Sequence, residues 1–254
     1  MSDQVNSTPV RVAVVGAAGR MGSTVCQAVE GAADMELVGR FDMDDELGDL
    51  GGAQVLVEFS VPDSSPGNVA YCISRGIHAV VGTSGWSEEK LAGLRSQLAA
   101  APEGTGVLIA PNFALGAILM MSFAQQAARF YASVEIIELH HPNKVDAPSG
   151  TAAHTAQLVA AARAEAGLGP VPDATVSDPG GARGAVVEGI HVHGVRMRGL
   201  VAHQEVLFGT EGETLTIRHD SFDRVSFMPG VLAGVRGVIS RPGLTVGLDS
   251  YLGL

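Results

Sequence analysis

Two histidines, a lysine and an aspartate fall within seven residues, His140 to Asp146, of the stretch Glu138-Leu-His-His-Pro-Asn-Lys-Val-Asp-Ala-Pro-Ser-Gly-Thr-Ala152. Histidine titrates near neutral pH and serves as acid or base. Lysine supplies a cation that, unlike arginine, can release a proton where its surroundings shift its pKa. The chain holds fourteen arginines but only two lysines, Lys90 and Lys144, which hints that this site wants a titratable cation. Ser149 suits the N-cap of a helix over Thr151 to Arg163. The amides of Gly150 and Thr151 then lie at the positive end of the helix dipole, where a carboxylate or phosphate binds well. Gly150 leaves room for an anion against the backbone, and the Ser149 and Thr151 hydroxyls are further donors. Singly, a histidine pair at a strand end or a Ser-Gly-Thr helix start is commonly structural. Together in one loop they point to chemistry on a small anionic substrate.

The elements around the loop follow from pattern. The apolar run Val134, Ile136, Ile137 and Leu139 predicts a buried strand entering it. Pro148 closes it, because the residue before a proline is biased away from helix.

A second site is predicted near the N-terminus. Val10 to Val15 reads as a strand, Gly16-Ala17-Ala18-Gly19-Arg20-Met21-Gly22 follows, and a helix over Arg20 to Glu30 comes next. Strand, glycine turn and helix form the dinucleotide-binding unit, here spaced G-x-x-G-x-x-G rather than G-x-G-x-x-G. The next strand, Glu36 to Phe41, ends at Asp42, ~20 residues past the last glycine, where an acidic side chain takes the ribose 2′-hydroxyl of NAD. Asp42 would repel a 2′-phosphate and Met43 offers no cation to receive one, although Arg20 or Arg40 remain as candidates. The reading is therefore NADH over NADPH, with dual use open. The alternative is that Asp42 merely starts the acidic loop to Asp49.

Strands over Val55 to Phe59, His78 to Val81 and Val107 to Ala110 alternate with helices over Ser65 to Arg75 and Glu88 to Ala100. That alternation predicts a Rossmann-like α/β fold, a parallel sheet wound on both faces. Ligands in such sheets sit at the carboxyl ends of the strands. Gly16, Asp42, Gly82-Thr83-Ser84 and Ala110-Pro111-Asn112-Phe113 all fall there. From Phe113 the pattern changes: a long Ala/Met-rich helix to about Tyr131, the strand into His140, the helix after Ser149 ending near Gly167, and a Gly/Pro-rich loop from Leu168 to Ala185. Three strands follow, Val186 to Val195, Leu200 to Phe208 and Thr214 to His219, the last two as a hairpin. This is an α+β second domain over 113–220. A helix over Ser226 to Ile239 and the segment Leu244 to Leu254 return to the first domain, 1–112 and 221–254. The second domain is then an insertion, with crossings near Asn112 and near Asp220 to Arg224.

Composition excludes several classes. The net charge is −11 with no basic patch, which argues against a nucleic-acid partner. Two cysteines, Cys26 and Cys72, do not make a disulfide framework or a cysteine metal site. His191 and His193 share a strand face without acidic or cysteine partners at metal spacing, so a structural or surface role is expected for them, as for His203 and His219. Met1 to Pro9 shows no signal-peptide pattern, and the apolar run Phe113 to Ala124 is too short to span a bilayer. A cytoplasmic protein without a membrane partner is expected.

The central stretch closely resembles the E-x-H-H-x-x-K-x-D-A-P-S-G-T-A signature of the bacterial dihydrodipicolinate reductase family, now called 4-hydroxy-tetrahydrodipicolinate reductases. Gly19-Arg-Met-Gly22, Val81-Gly-Thr-Ser-Gly-Trp86, Ala110-Pro-Asn-Phe113 and the stretch Gly199 to Leu248 extend the likeness over nearly the whole chain. The resemblance implies the reductive step of the diaminopimelate route to lysine. NAD(P)H would bind the first domain and a cyclic dicarboxylate the second, in a homotetramer built through the second domain's sheet. It implies His140 as general acid/base, Lys144 as proton donor, His141 as a substrate contact, and Gly150 and Thr151 as amide donors to a carboxylate. Gly16 to Met21, Asp42, Gly82 to Ser84 and Ala110 to Phe113 would hold the cofactor. Ser84 stands where threonine is usual, Trp86 where phenylalanine is usual, and Met43 where some members carry a basic residue. A semialdehyde dehydrogenase is a rival, but that chemistry needs a cysteine nucleophile in the substrate site. A non-catalytic NAD-sensing module is the rival of another class.

Overall fold

The computed structural model describes residues 8–43 and 45–254. Most of the leader reading on Met1 to Pro9 therefore lies outside the described residues. The chain divides into two compact units, 1–113 with 227–254, and 114–226.

The first unit is a parallel sheet. Strand β1 (Val10–Val15) leads through the glycine turn into helix α1 (Arg20–Glu30), and β2 (Met35–Phe41) pairs beside β1. β3 (Val55–Glu58), α2 (Ser65–Ile73), β4 (His78–Val81), α3 (Glu88–Ala99) and β5 (Gly106–Ile109) continue the alternation. The inner strands β3, β4 and β5 are short and almost wholly buried, as expected of a sheet covered on both faces. The spatial order is β11-β5-β4-β3-β1-β2, every pairing parallel. The chain moves outward from β1 to β2 and then returns to the other side of β1 at β3. That reversal is the switch point at which such sheets open a crevice.

The second unit begins with α4 (Leu115–Ala127), four residues shorter at its end than the apolar pattern predicts. The buried Arg163 guanidinium binds the carbonyls of Tyr131 and Ala132 at 2.6 and 3.0 Å, which holds that segment extended into β6 (Ser133–His140). Helix α5 (Gly150–Glu165) follows, capped by Ser149, whose hydroxyl accepts from Ala152 N–H at 3.2 Å. The strand predicted over Val186 to Val195 is two strands, β7 (Ala185–Val187) and β8 (Ile190–Arg196), paired antiparallel. Glu188 and Gly189 turn the chain with φ of 48° and 81°, the left-handed pair that a tight hairpin requires. β9 (Ala202–Thr210) and β10 (Glu213–Ser221) form the expected hairpin through Gly212.

The sheet order is β10-β9-β6-β8-β7, with β6 antiparallel to β9 and parallel to β8. Val134, Ile136 and Glu138 on one face of β6 are buried beside Val206 and Phe208, while Glu135, Ile137 and Leu139 on the other face stay half-exposed. The chain then re-enters the first unit as α6 (Met228–Val238), β11 (Gly243–Val246) alongside β5, and α7 (Asp249–Leu252). No helix among the described residues is long and apolar enough to cross a membrane.

Helix α6 lies so close to the end of β5 that a Cβ on Gly230 would stand 2.0 Å from the Phe113 carbonyl oxygen. Gly230→Ala is expected to lose about 1–3 kcal/mol through overpacking, seen as a Tm lowered by several degrees. A Cβ on Gly67 of α2 meets nothing within 4 Å, so Gly67→Ala is expected to hold or raise Tm, by up to about 1 kcal/mol. Calorimetry of the two variants checks both signs.

Candidate active site

The loop between β6 and α5 is built around a carboxylate. Glu138 is fully buried, yet both oxygens are satisfied. His140 Nδ1 lies 2.5 Å from Oε2, Arg196 donates to Oε2 at 2.8 Å and to Oε1 at 2.7 Å, and Ser149 N–H donates to Oε1 at 3.2 Å. Burial pushes the Glu138 carboxyl up, but the bonds from Arg196 and His140 outweigh it and hold the group below the usual carboxylate range. Arg196 also donates to the Asp146 carbonyl at 2.7 Å, so one guanidinium ties β8 to both ends of the loop.

Alternation along β6 puts Glu138 and His140 on one face. Burial is the largest influence on His140 and pushes its pKa below the ordinary value. Lys144 and Arg196 act in the same direction, and Glu138 opposes them without reversing the result. Pro142 and Asn143 then form a turn closed by Lys144 N–H to the His141 carbonyl at 3.2 Å, with proline in the position that its fixed φ favours. This turn explains the H-x-x-K spacing, because it brings Lys144 back over the strand end. Lys144 Nζ pairs with Asp146 Oδ1 at 2.7 Å. The Ala147–Pro148 peptide is cis.

The anion-binding end of α5 is present with a carboxylate beside it. Burial raises the Asp146 carboxyl, but the bond from Lys144 outweighs it and holds the group below its usual range, with the Gly150 amide a smaller influence in the same direction. A carboxylate thus stands at the helix start where a ligand anion is expected. The space beside Gly150 is open: a Cβ there would meet nothing within 4 Å. His141 Nδ1 is buried with no hydrogen-bond partner in this structure. Thr151 is backed from behind: its carbonyl accepts from the Thr155 hydroxyl at 2.8 Å, which in turn accepts from Gln204 Nε2 at 2.8 Å.

In the first unit a cleft of about 350 Å³ opens at the switch point, lined by Gly16, Gly19, Asp42 and Met43, by Phe59 and Ser60 of the β3–α2 connection, and by Asn68 of α2. The glycines are required by contact. A Cβ would stand 2.4 Å from the Phe59 carbonyl oxygen at Gly16, 2.0 Å from the Gly16 carbonyl oxygen at Gly22, and 2.0 Å from the Phe59 ring at Gly82. Gly19 caps α1 with no side-chain bond, and the first turn has no acidic residue, so its positive end faces the cleft uncompensated. Gly16 and Ala17 donate to the Phe41 carbonyl, and Ala18 N–H donates to Asp42 Oδ2 at 2.9 Å. The donors left for a pyrophosphate are those of the α1 start, Arg20 and Met21. Asp42 N–H in turn donates to Asp45 at 2.7 Å, so two carboxylates border this end of the cleft. Arg40 is paired with Glu30 at 2.5 Å, and Arg20 is exposed. Thr83 is buried with an unpartnered hydroxyl, and Ser84 is exposed. Ala110 N–H donates to the Val81 carbonyl, and Phe113 is buried against the Phe59 ring, 5.8 Å between centroids. Open glycine backbone, a bare helix start and a carboxylate at the second strand end fit a dinucleotide.

Glu138 opens the signature stretch but receives no role from the sequence, while Arg196 and Gln204 in the same unit, and Ser60 and Asn68 in the other, carry no local signal that marks them as candidates. Arg196 and Gln204 arrive from distant strands, and only the sheet register brings them opposite Glu138 and His140. Cys26 and Cys72 are buried, and burial drives the Cys72 thiol up to about 12. Neither suits a nucleophile. His191 bonds the Arg183 carbonyl and His193 bonds Glu135, on the half-exposed face of the second sheet.

Residues 10–113 match the family described as dihydrodipicolinate reductase, N-terminus, and residues 116–252 match dihydrodipicolinate reductase, C-terminus. A 4-hydroxy-tetrahydrodipicolinate reductase of Cutibacterium acnes is 65% identical over 245 residues, covering 96% of this chain and 99% of its own. One of Streptomyces avermitilis is 60% identical over 247 residues, covering 96% and 98%. Among solved structures, a dipicolinate-bound dihydrodipicolinate reductase from Paenisporosarcina sp. TG-14 superposes with a TM-score of 0.83 at 35% identity, covering 96% of this chain and 99% of that one.

Because burial dominates at His140, its titration midpoint is expected below the ordinary histidine value of about 6.5. A proton titration of the imidazole signals followed by NMR, assigned with His140→Gln, measures it.

Proposed function

The chain belongs to the dihydrodipicolinate reductase family, and from that premise we propose that it reduces 4-hydroxy-2,3,4,5-tetrahydrodipicolinate to 2,3,4,5-tetrahydrodipicolinate with loss of water, in the diaminopimelate route to lysine. The observation that carries the proposal is the β6–α5 loop, which gathers His140, His141, Lys144 and the start of α5 into one short connection.

The substrate carries two carboxylates on a six-membered ring. One of them takes the start of α5, displacing the Asp146 carboxylate from beside the Gly150 amide, with Thr151 and the Ser149 hydroxyl close by. His141 Nδ1, buried and unpartnered, supplies a contact to the same ligand. Loss of the 4-hydroxyl as water needs a base for the proton on the adjacent ring carbon and an acid for the departing oxygen. The conjugated imine that results is reduced at ring C4, and the adjacent carbon then takes a proton. When bound, the reduced nicotinamide supplies the hydride. His140 is the general acid/base, and Lys144 is the proton donor, released from Asp146 when the substrate carboxylate replaces it.

The cofactor is held by Gly16 to Met21, with the pyrophosphate at the start of α1, by Asp42 on the ribose, and by Gly82 to Ser84 and Ala110 to Phe113 at the neighbouring strand ends. NADH is preferred over NADPH, because a 2′-phosphate would meet Asp42 and Asp45 with no cation beside them among the residues lining the cleft. The first unit is the dinucleotide-binding domain and the second the substrate-binding and oligomerisation domain. The protein works in the cytoplasm as a homotetramer joined through the half-exposed sheet face that carries Ile137, Leu139 and Leu207.

Three expectations test this reading. Wild type consumes NADH rapidly with freshly generated 4-hydroxy-tetrahydrodipicolinate; no consumption by a folded, NADH-binding protein overturns the reductase and leaves a sensor or another substrate. His140→Ala and Lys144→Ala each lower turnover by about 100- to 10,000-fold with NADH affinity nearly unchanged; lost NADH binding would mean that the residue is misplaced. Met43→Arg narrows the NADH-to-NADPH ratio in kcat/KM by about tenfold, read from parallel assays with the two cofactors.

A further inference from the structure

We propose that Glu138, with Arg196 as its counter-charge, is the positioning residue that decides which nitrogen of His140 meets the substrate and how readily that nitrogen takes a proton. The proposal rests on the reading of His140 as the acid–base group.

An ionised carboxylate only accepts hydrogen bonds. A 2.5 Å contact between Glu138 Oε2 and His140 Nδ1 therefore puts a proton on Nδ1. The lone pair of the neutral ring is left on Nε2, the nitrogen that does not face Glu138. A buried carboxylate without partners would take up a proton itself and lose that control. The four donors prevent it together, Arg196 with two bonds of 2.8 and 2.7 Å, one to each oxygen. In Arg196→Gln the bonds from His140 Nδ1 and Ser149 N–H remain, with the introduced amide beside them, to keep the carboxylate ionised. The Ser149 N–H on Oε1 then links the same carboxylate to the cap of α5. One side chain thus fixes the acid–base ring and the helix start that receives the substrate anion, and holds them in register.

The charges around His140 have opposed effects. Glu138 on its own strand favours the imidazolium. Arg196 on β8 and Lys144 on the loop disfavour it, and Asp146, paired with Lys144, offsets that lysine. The facing residue on β9 is Ala202, and the first turn of α5 brings no charged side chain. Removing the Glu138 charge therefore lowers the pH at which His140 titrates, and removing the Arg196 charge raises it. A merely structural role for the pair would damage both variants alike and move neither midpoint in this pattern.

The experiment is the pH profile of kcat/KM for wild type, Glu138→Gln and Arg196→Gln at saturating NADH. The limb that belongs to His140, identified by its absence in His140→Ala, is expected to move to lower pH in Glu138→Gln and to higher pH in Arg196→Gln. The kcat should fall about tenfold or more in each, while KM for NADH stays within about twofold. Limbs that stay put, or that move in the same direction, overturn the proposal. A measurement on the wild type alone covers variants that do not fold: the nitrogen chemical shifts of ¹⁵N-labelled imidazole. Neutral His140 is expected as the Nδ1–H form, and the Nε2–H form overturns the proposal. This readout needs no turnover. An inactive wild type with His140 in the Nδ1–H form sinks the reductase reading and leaves the positioning role of Glu138 standing.

Discussion

The β6–α5 loop depends on a carboxylate taken fully out of water. Ionising Glu138 in the interior of the second unit is unfavourable unless every lone pair is met, and here four donors meet it. The donors come from the strand itself, from β8 and from the cap of α5. Satisfying one charge therefore assembles three separate pieces of chain. A hydrophobic residue at 138 would pack as well against Ile136 and Val206, but it would leave the half-buried Arg196 without its counter-charge, and His140 and the cap of α5 without their common anchor. Such networks specify one arrangement more than they add stability. The sheet is the frame for this, because its register sets Gly194 and Arg196 on the β8 side of Glu138 and His140 and Gln204 and Ala202 on the β9 side.

The first unit solves a different problem with backbone rather than charge. A cleft for a dinucleotide must let main-chain amides approach the ligand closely, and the crowding at Gly16, Gly22 and Gly82 shows how little space is left for side chains. The switch between β1 and β3 opens the crevice, and the short, buried strands on either side hold it rigid. Asp42 contributes twice. Its position at the end of β2 sets it at the rim, and its bond from Ala18 ties that rim to the glycine turn. The glycine turn and the carboxylate at the end of β2 are thus held together by one bond.

Much of this is legible in the sequence, for physical reasons that differ between the two units. In the first unit most strands are local and end in a glycine or polar signal, so pattern alone sets Gly16, Gly19 and Asp42 at the cleft. Phe59, Ser60 and Asn68 of the same lining carry no such signal, and the expected Gly82 to Ser84 and Ala110 to Phe113 are not among the residues that line it. In the second, Ser149 announces the α5 cap and the H-x-x-K spacing announces a turn. The register that sets Arg196 and Gln204 beside those residues is non-local, and no short-range pattern encodes it. The hairpin at Glu188-Gly189 escapes the pattern because the alternation of apolar residues continues across it, so the run from Val186 to Val195 reads as one strand unless the left-handed preference of glycine is given weight. The end of α4 is overestimated for a similar reason. Helix propensity persists to Tyr131, but Arg163, more than thirty residues on, binds the Tyr131 and Ala132 carbonyls and fixes that segment on its path into β6.

A chain of net charge −11 that receives anionic ligands must do so through local fields. The residues involved show how. Arg196 is neutralised by Glu138, Lys144 by Asp146 and Arg40 by Glu30, so none of these cations acts as a bare attractor. At the starts of α1 and α5 the oriented backbone, joined at α1 by the exposed Arg20, supplies partial charges that are fixed by the fold and act only over the first turn. Attraction of that kind is short-ranged. It rewards an anion that reaches the helix start in the right orientation and gives little to one that lingers at the surface. At α5 the resident Asp146 raises the threshold further, since its carboxylate already stands near the Gly150 amide and a ligand carboxylate would have to displace it. A monoanion with no second contact gains little by that exchange. A ring bearing two carboxylates can make the exchange at one end and still bind at the other, and this difference between exchange and addition favours a dicarboxylate over the abundant small anions around it.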